Sequence, residues 1–373
     1  MAEVGIVTAQ VQDRQRGQIH VYDGEGKGKS QAALGVVLRS IGLGIESNVS
    51  SRVLLVRFLK GPGRPYAEDA AIEALQRGFP HLIDQLRTGR GDFFGPDQIT
   101  KFDRQEAKRG WDVAKGAIAS GFYSVVVLDE LNPVLDLGLL PVEEVVATLR
   151  QKPNPMEVII TGRGTPQPIL DLADLHSEMR SMRKTSGQDG VGGIEIYTGG
   201  GKGKSTSALG RALQAIGRGI SKDLSHRVLI MQWLKGGSGY TEDAAIRALR
   251  DSYPHLVDHQ RCGRDAIVWR GKQQEIDYVE AERGWELARA AIMSGLYKTI
   301  ILDELNPTVD LELLPVEPIV HTLLRKPKDT EIIITGRCYN GLPYFELASV
   351  HSEMVGHKHY AERGADLKRG VDY

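Results

Sequence analysis

Two glycine-rich strings in this chain of 373 residues have the composition of phosphate-binding loops, DGEGKGKS at residues 23–30 and TGGGKGKS at residues 198–205. Glycine tolerates positive φ and close approach, so backbone N–H groups can converge on a polyphosphate at a helix N-terminus. Lys29 and Lys204 would neutralise phosphate charge, and the serine after each lysine would ligate Mg²⁺. The predicted nucleotide-binding residues are Gly24, Gly26, Lys27, Gly28, Lys29, Ser30 and Gln31 in the first string and Gly199, Gly200, Gly201, Lys202, Gly203, Lys204, Ser205 and Thr206 in the second.

Both strings depart from the strict pattern G-x-x-x-x-G-K-[ST] at one position, because Asp23 and Thr198 occupy the place of its first glycine. A merely flexible turn is the alternative interpretation. The string nevertheless occurs twice, each time after an apolar run and before a helical pattern. This context favours phosphate binding.

An Asp-Glu pair follows a buried, branched run twice, at residues 129–130 and 303–304. In doubly wound sheets, acids at the carboxyl end of a buried strand lie beside the phosphate loop, where they can hold Mg²⁺ directly or through water. The alternative is that the polar pair only caps a helix or turn. Because the pair accompanies each loop, we predict a metal role, with the ligands Ser30, Glu130, Ser205 and Glu304.

The loops and the acidic pairs belong to a long internal repeat. The glycine-rich strings recur at an offset of 175 residues, and residues 110–153 share 26 identities in 44 positions with residues 284–327. Each copy is long enough for its own core, so the repeat indicates a duplicated domain rather than a solenoid. The predicted organisation is an N-terminal extension (1–16), a first domain (17–190) and a second domain (191–373), joined through a polar, exposed linker at 181–190.

Short apolar runs alternate with amphipathic patterns in each copy. In the first, the predicted strands are 18–22, 52–59, 124–128 and 157–160, and the predicted helices are 103–120 and 141–150. A further helical pattern, residues 32–41, is expected to stop at Gly42 and Gly44. Trp111 and Trp285 have helical spacing to apolar neighbours and are interpreted as core residues. Buried runs between helices are typical of β-α-β units, so each half is predicted to be α/β, with a mainly parallel sheet covered by helices on both faces.

Composition excludes several classes of protein. Lys plus Arg (47) nearly balance Asp plus Glu (48), which argues against a nucleic-acid or membrane-surface partner. No apolar run approaches the roughly 18 residues that span a bilayer, and residues 1–17 lack the apolar core of a signal peptide. The two cysteines, Cys262 and Cys338, fit a reducing compartment. We therefore expect a soluble, cytoplasmic protein.

Taken together, these strings resemble the ATP:corrinoid adenosyltransferases, which act on cob(I)alamin or cob(I)yrinic acid a,c-diamide. The family's loop T-G-x-G-K-G-K-[TS] matches residues 198–205, and its V-V-L-D-E-L-N string is similar to residues 126–132 and 300–306. Further similar strings are Q-F-x-K-G at 57–61 and 232–236, I-I-T-G-R-G at 159–164, L-A-D-x-x-S-E-M at 172–179 and the family's C-terminal tail at 358–373. The resemblance covers nearly the whole chain, as two tandem copies.

The resemblance implies two tandem RecA-like P-loop domains that use ATP as co-substrate with Mg²⁺ and a reduced corrinoid as substrate. It implies attack of Co(I) on C5′ of ATP and release of triphosphate, a reaction of adenosylcobalamin biosynthesis. Co(I) is a strong nucleophile, so the protein must orient C5′ and stabilise the leaving group, which makes Lys29 and Lys204 the predicted catalytic residues. An electron-donating flavoprotein or flavodoxin and an intramolecular pseudo-dimer in place of a homodimer are further expectations.

The two copies differ at the loops. The first has Asp23 and Glu25 where the second has Thr198 and Gly200, and acids beside a polyphosphate should weaken binding unless Lys27 or a metal compensates. The first copy also lacks the family-like tail, because it continues directly into the second. We therefore predict that the second site is the more competent one.

The family's aromatic stretch G-T-G-F-T-W, which lines the corrinoid side, is altered here at residues 88–94 and 262–269. Phe93, Phe94 and Trp269 are the predicted contacts to the corrin ring, with plain packing as the alternative.

Two other functions remain open at the level of sequence. In a RecA- or helicase-like ATPase, Glu130 and Glu304 would polarise water for hydrolysis. In a nucleotide-sensing scaffold, the tandem loops would bind a partner and turn over slowly. The balanced charge counts against a helicase.

Overall fold

The computed structural model of the chain describes residues 16–47, 51–61, 63–92, 94–184, 192–338, 340–364 and 366–373. The strands of the first half are β1 (Ile19–Asp23), β2 (Val53–Arg57), β3 (Ile83–Arg87), β4 (Val125–Asp129), β5 (Glu157–Thr161) and β6 (Leu175–Lys184). Its α-helices are α1 (Lys29–Ser47), α2 (Asp69–Gly78), α3 (Lys101–Ser120), α4 (Leu131–Asp136), α5 (Val142–Arg150) and α6 (Gln167–Leu172).

The second half repeats this order. Its strands are β7 (Ile194–Thr198), β8 (Arg227–Gln232), β9 (Val257–Arg261), β10 (Tyr297–Asp303), β11 (Glu331–Thr335) and β12 (Val350–Lys358). Its α-helices are α7 (Lys204–Ser221), α8 (Glu242–Ser252), α9 (Glu275–Ser294), α10 (Leu305–Asp310) and α11 (Val316–Arg325). Short 3₁₀ helices lie at Pro96–Gln98, Pro343–Leu347 and Tyr360–Arg363.

The two halves form one sheet. Within the described residues it has 12 strands in the order β3-β2-β4-β5-β1-β6-β12-β7-β11-β10-β8-β9. All neighbours within a half are parallel, whereas β6 and β12 pair antiparallel at the centre, with Met354 opposite Met179. Residues 181–184 of the predicted linker therefore belong to β6, because their backbone pairs with the second half. The domain boundary at 190/191 lies outside the described residues, and the division into 17–190 and 191–373 stays a prediction.

Helices cover both faces of the sheet, which confirms the predicted α/β architecture. On one face each half has its own core, in which the indoles of Trp111 and Trp285 are buried as predicted. On the other face a single core contains residues of α1, α2, α7 and α8, so the halves share it. No helix of the described residues is long and apolar enough to cross a membrane.

The shared core depends on glycines that bring α1 and α7 into backbone contact. A Cβ atom on Gly35 would lie 2.0 Å from the carbonyl oxygen of Thr206, and one on Gly210 would lie 2.0 Å from that of Gln31. The prediction that α1 stops at Gly42 was wrong, since the helix continues to Ser47. Gly42, which resembles a helix stop in the sequence, instead allows another backbone segment to pack closely against α1, because only glycine leaves room for it.

Other predicted boundaries differ by one to two residues. The strand predicted at 52–59 ends at Arg57, since the chain turns at Leu59, whose φ is 56°. The helix predicted at 103–120 begins at Lys101, where the backbone N–H of Thr100 donates to Asp103 Oδ2 (2.8 Å) in a capping box.

Candidate functional site

Each glycine-rich loop joins a strand to a helix, as predicted. The first connects β1 to α1 and the second connects β7 to α7. Gly28 and Gly203 have φ values of 122° and 116°, which favour glycine at these turns. The N–H groups of Gly26 and Gly201 donate to carbonyl oxygens of β6 and β12 (2.6 and 2.7 Å), so these two donors anchor the loops instead of remaining available to phosphate.

The loop lysines are folded back into their own loops. Lys29 Nζ donates to the carbonyl oxygens of Gly24 and Gly26, each at 2.7 Å, and Lys204 Nζ donates to that of Gly201 at 2.7 Å. Burial lowers the pKa of Lys204 to about 8 and also lowers the pKa of Lys29. Both ammonium groups are therefore desolvated where a bound phosphate would stabilise their charge.

The aspartate of each acidic pair is bonded to a lysine. Lys60 Nζ lies 2.5 Å from Asp129 Oδ2, and Lys235 Nζ lies 2.5 Å from Asp303 Oδ2. Burial alone would raise the pKa of Asp303, but the ammonium of Lys235 outweighs it and holds the pKa well below its usual range. Sequence analysis missed these lysines, although the repeated L-K-G strings at 59–61 and 234–236 carried the signal.

The glutamate of each pair is the acid predicted to hold a metal ion at the loop. Glu130 and Glu304 have left-handed φ values of 62° and 61° and immediately precede α4 and α10. Burial, with the neighbouring aspartate second, raises the pKa of both carboxyl groups. Ser205 Oγ donates to Glu304 Oε1 at 3.3 Å, so the two predicted metal ligands of the second site meet. Strained backbone of this kind is common at functional sites.

A cavity of about 660 Å³ opens beside the second loop. Its walls combine loop residues, the glutamate of the acidic pair and the lysine bonded to the aspartate of that pair with an aromatic side chain. They include Lys204, Ser205, Thr206, Lys235, Glu304, Arg337 and Trp269. The lining also includes Tyr22 and Arg39 of the first half and Val371 and Asp372 of the tail. Gly200, another predicted loop residue, faces open space.

The cavity beside the first loop is smaller, about 190 Å³, and its lining includes four of the predicted site residues, Lys29, Ser30, Gln31 and Glu130. The two acids that the first loop has and the second lacks already have partners. Glu25 Oε2 lies 3.2 Å from Arg163 Nε at the surface, and Asp23 Oδ1 lies 2.9 Å from His176 Nε2.

Lys27 and Lys202 lie two residues before the loop lysines, and each pairs with a carboxylate from a later part of the chain. Lys202 bonds to Asp372 in the C-terminal tail and donates to the hydroxyl of Tyr360 at 2.7 Å. Lys27 Nζ lies 3.7 Å from Glu195 Oε1 at the start of the second half. The first copy thus uses Glu195 of β7 where the second uses Asp372 of its tail.

The predicted aromatic contacts separate into different environments. Trp269 is 65% exposed and lines the second cavity. Phe94 packs against the core of the first half, with the guanidinium of Arg90 3.9 Å from its ring centre, and it does not line the first cavity. Phe93 lies outside the described residues.

The residue types at the second loop fit Mg²⁺. A hydroxyl and a carboxylate that already meet at 3.3 Å are oxygen ligands of the kind this ion prefers, with phosphate oxygens and water completing an octahedron. Among the described residues, no group of three or more His, Cys, Asp or Glu side chains forms a metal site from protein ligands alone. A metal at this loop would therefore depend on the nucleotide.

Comparison with known proteins identifies the family of the chain. A family model for ATP:corrinoid adenosyltransferases (BtuR/CobO/CobP) matches residues 15–195 and again residues 190–373. The chain belongs to this family. The double match fits the tandem duplication, and the family and its named relatives make the chain an enzyme of this kind, a transferase of cobalamin biosynthesis with ATP and corrinoid as its substrates.

The similar proteins fall into two groups. An uncharacterized protein of Nostoc sp. (strain PCC 7120) is 75% identical over 373 residues and 99% of each chain, so it shares the whole tandem arrangement. The corrinoid adenosyltransferase of Escherichia coli K12 is 37% identical over 175 residues, which is 47% of this chain and 82% of that protein. The one from Pseudomonas aeruginosa is 36% identical over 171 residues, or 46% and 78%. These relatives therefore correspond to one copy of the repeat.

Proposed function

We propose that this enzyme transfers the 5′-deoxyadenosyl group of ATP to the Co(I) of a reduced corrinoid, releasing triphosphate, and that the second loop carries the reaction. The observation that supports this most is the cavity of about 660 Å³, where Lys204, Ser205 and Glu304 share one space with the exposed indole of Trp269. A phosphate-binding end and an aromatic wall in one cavity suit a reaction between a nucleotide and a flat macrocycle.

The reaction needs little acid–base chemistry from the protein. Co(I) donates its electron pair to C5′, the cobalt–carbon bond forms, and the C5′–O bond breaks with its electrons leaving on triphosphate. Cobalt is formally oxidised to Co(III) in the same step. The protein must orient C5′ and stabilise the departing charge, for which Lys204, Arg337 and the N-terminus of α7 are available.

Mg²⁺ would be held by Ser205 and Glu304 and would supply positive charge to the phosphate oxygens. The bond to Lys235 keeps the carboxylate of Asp303 away from the phosphates, which limits like-charge repulsion at the site. Gln232 strengthens this arrangement, because its amide also donates to Asp303 Oδ2 at 2.9 Å.

The first loop is proposed to be the weaker site. Arg57 replaces the glutamine at the position of Gln232, and its guanidinium bonds to Glu68 and Asp69 instead of supporting the acidic pair. The ion pair between Glu25 and Arg163 also lies at the entrance of its smaller cavity. An arginine that could face phosphate is therefore already neutralised.

Three further parts of the hypothesis rest on the duplication, on the family resemblance and on the composition of the chain, in that order. The halves would act as a pseudo-dimer within one chain, an electron-donating flavoprotein or flavodoxin would reduce the corrinoid, and the reaction would take place in the cytoplasm. The antiparallel pairing of β6 with β12 and the core shared by α1 and α7 support the first of these.

Product analysis tests the proposal. The full chain is incubated anaerobically with ATP and Mg²⁺ under reducing conditions, with and without cob(I)alamin. We expect triphosphate and the absorbance of an adenosyl–cobalt bond only when the corrinoid is present. ADP and phosphate formed regardless of corrinoid would contradict the proposal and leave a tandem P-loop ATPase; the absence of any turnover would favour the scaffold.

A further inference from the structure

The cavity at the second loop is built from both halves of the chain. Arg39 lies on α1 of the first half, yet it lines this cavity together with the second loop. Its guanidinium is 4% exposed and makes its contacts with the second half. Nη1 donates to the hydroxyl of Thr206 (3.3 Å) and to the carbonyl oxygen of Asp372 (2.8 Å), and Nε donates to Glu242 (3.2 Å).

These contacts join three separate parts of the site. Thr206 belongs to the first turn of α7, Glu242 begins α8, and Asp372 belongs to the C-terminal tail. The tail is connected to the loop a second time, because the carboxylate of Asp372 bonds to Lys202. Arg39 thus fixes the tail against the loop from outside the second half.

The first site lacks this arginine. At an offset of 175 residues, the counterpart of Arg39 is Gln214, which donates to Glu68 at 3.2 Å and accepts from Arg211 at 3.0 Å. Glu68, the counterpart of Glu242, is instead paired with Arg57 of its own half at 3.1 Å. The glutamate of the first half is thus paired with an arginine of its own half, whereas the glutamate of the second half is paired with an arginine of the other half.

Arginine suits such a position better than lysine or glutamine. Its planar guanidinium can donate several hydrogen bonds in fixed directions and remains charged when buried. A glutamine could replace one of these bonds, but it would remove the cation that is hydrogen-bonded to the buried carboxylate of Glu242.

We propose that Arg39 is a positioning residue for the second nucleotide site, so that the first half is needed to complete the site in the second half. The inference deepens the proposed function, since it concerns how the same cavity receives ATP. Arg39 acts by holding Thr206 and the tail in place. Its loss should weaken ATP binding more than it lowers kcat, the rate at which bound ATP reacts.

The test replaces Arg39 with the residue of its counterpart, as Arg39→Gln. The matched control is Arg57→Gln, which removes an equally buried arginine from the equivalent glutamate in the first half. ATP affinity is measured by calorimetry with Mg²⁺ and without corrinoid, in a Lys29→Ala background that isolates the second loop. The KM for ATP and kcat are then measured by corrinoid-dependent triphosphate release.

We expect Arg39→Gln to weaken ATP binding about tenfold, with kcat within about threefold, because hydrogen bonds to a charged group are lost. Arg57→Gln should remain within about twofold on every measure. Arg39→Lys, which keeps the charge opposite Glu242 but not the planar fork, should lie between wild type and Arg39→Gln. Unchanged ATP affinity in Arg39→Gln, or an equal loss in Arg57→Gln, would overturn the inference.

Where Arg39→Gln does not fold, Arg39→Lys decides, because it keeps the charge opposite Glu242 but loses the planar fork that reaches Thr206 and the tail. A loss of ATP affinity supports the inference and unchanged affinity overturns it. Calorimetry does not require catalysis, so the inference can succeed or fail independently of the proposed transfer reaction.

Discussion

At the scale of single residues, the environment of each acidic pair decides which carboxylate can serve a nucleotide. Asp129 and Asp303 are bonded to lysines, whereas burial keeps the pKa of Glu130 and Glu304 above its usual value. A cation brought by the nucleotide would favour the ionised glutamate. The pair therefore combines one acid that a lysine holds in its ionised form with one acid whose charge a bound cation would stabilise.

Trp269 provides a test of the corrinoid side of the second cavity. We expect Trp269→Ala to raise the KM for cob(I)alamin about tenfold, because the indole presents a large apolar surface to the corrin ring. The KM for ATP should change less than twofold, since the loop contacts are untouched. Both constants follow from corrinoid-dependent triphosphate release.

The control for this prediction is Phe102→Ala, which removes another exposed aromatic side chain that lines neither loop cavity. It should leave both constants unchanged. An unaltered corrinoid KM in Trp269→Ala, or the same increase in both variants, would contradict a role of Trp269 in corrinoid binding.

At the scale of elements, the contact between α1 and α7 fixes the two loops relative to each other. Ser207 Oγ of α7 donates to the carbonyl oxygen of Gly28 at 3.0 Å, so the start of one loop helix bonds directly to the other loop. The glycines at 35 and 210 make this approach possible. A larger side chain at either position would separate the helices and the loops together.

Gly210→Ala should destabilise the protein by about 3 kcal/mol, because its Cβ would overlap the backbone of Gln31 and no flexible side chain can yield. Gly116→Ala is the control, since Gly116 lies within α3 and a Cβ there has open space. That change should stabilise by about 0.5–1 kcal/mol. Urea unfolding measures both, and a loss under 1 kcal/mol in Gly210→Ala would contradict the packing account.

The elements also show which features the sequence can predict. Branched apolar runs predicted the buried strands near 125–129 and 157–161, because burial on both faces leaves a continuous apolar pattern. Gly42 was misread as a helix stop, since its contact with the carbonyl oxygen of Thr241 joins residues about two hundred positions apart. The bond between Lys60 and Asp129 was missed for the same reason, because local patterns do not identify distant partners.

At the scale of the whole molecule, duplication has produced two loops in one sheet with unequal surroundings. The repeat and its motifs predicted the family and the location of both loops. They did not predict that Arg39 of one half would line the cavity of the other. That arrangement follows from the antiparallel pairing of β6 with β12 and from the core shared across the halves.

The most direct test of the account compares Lys204→Ala with Lys29→Ala in corrinoid-dependent triphosphate release by the full chain. Loss of a group that stabilises the leaving charge typically costs about 10²–10³ in rate. We predict that Lys204→Ala falls at least about 100-fold and that Lys29→Ala remains within about threefold of wild type. Equal turnover by the two variants would contradict the central claim that the second loop carries the reaction.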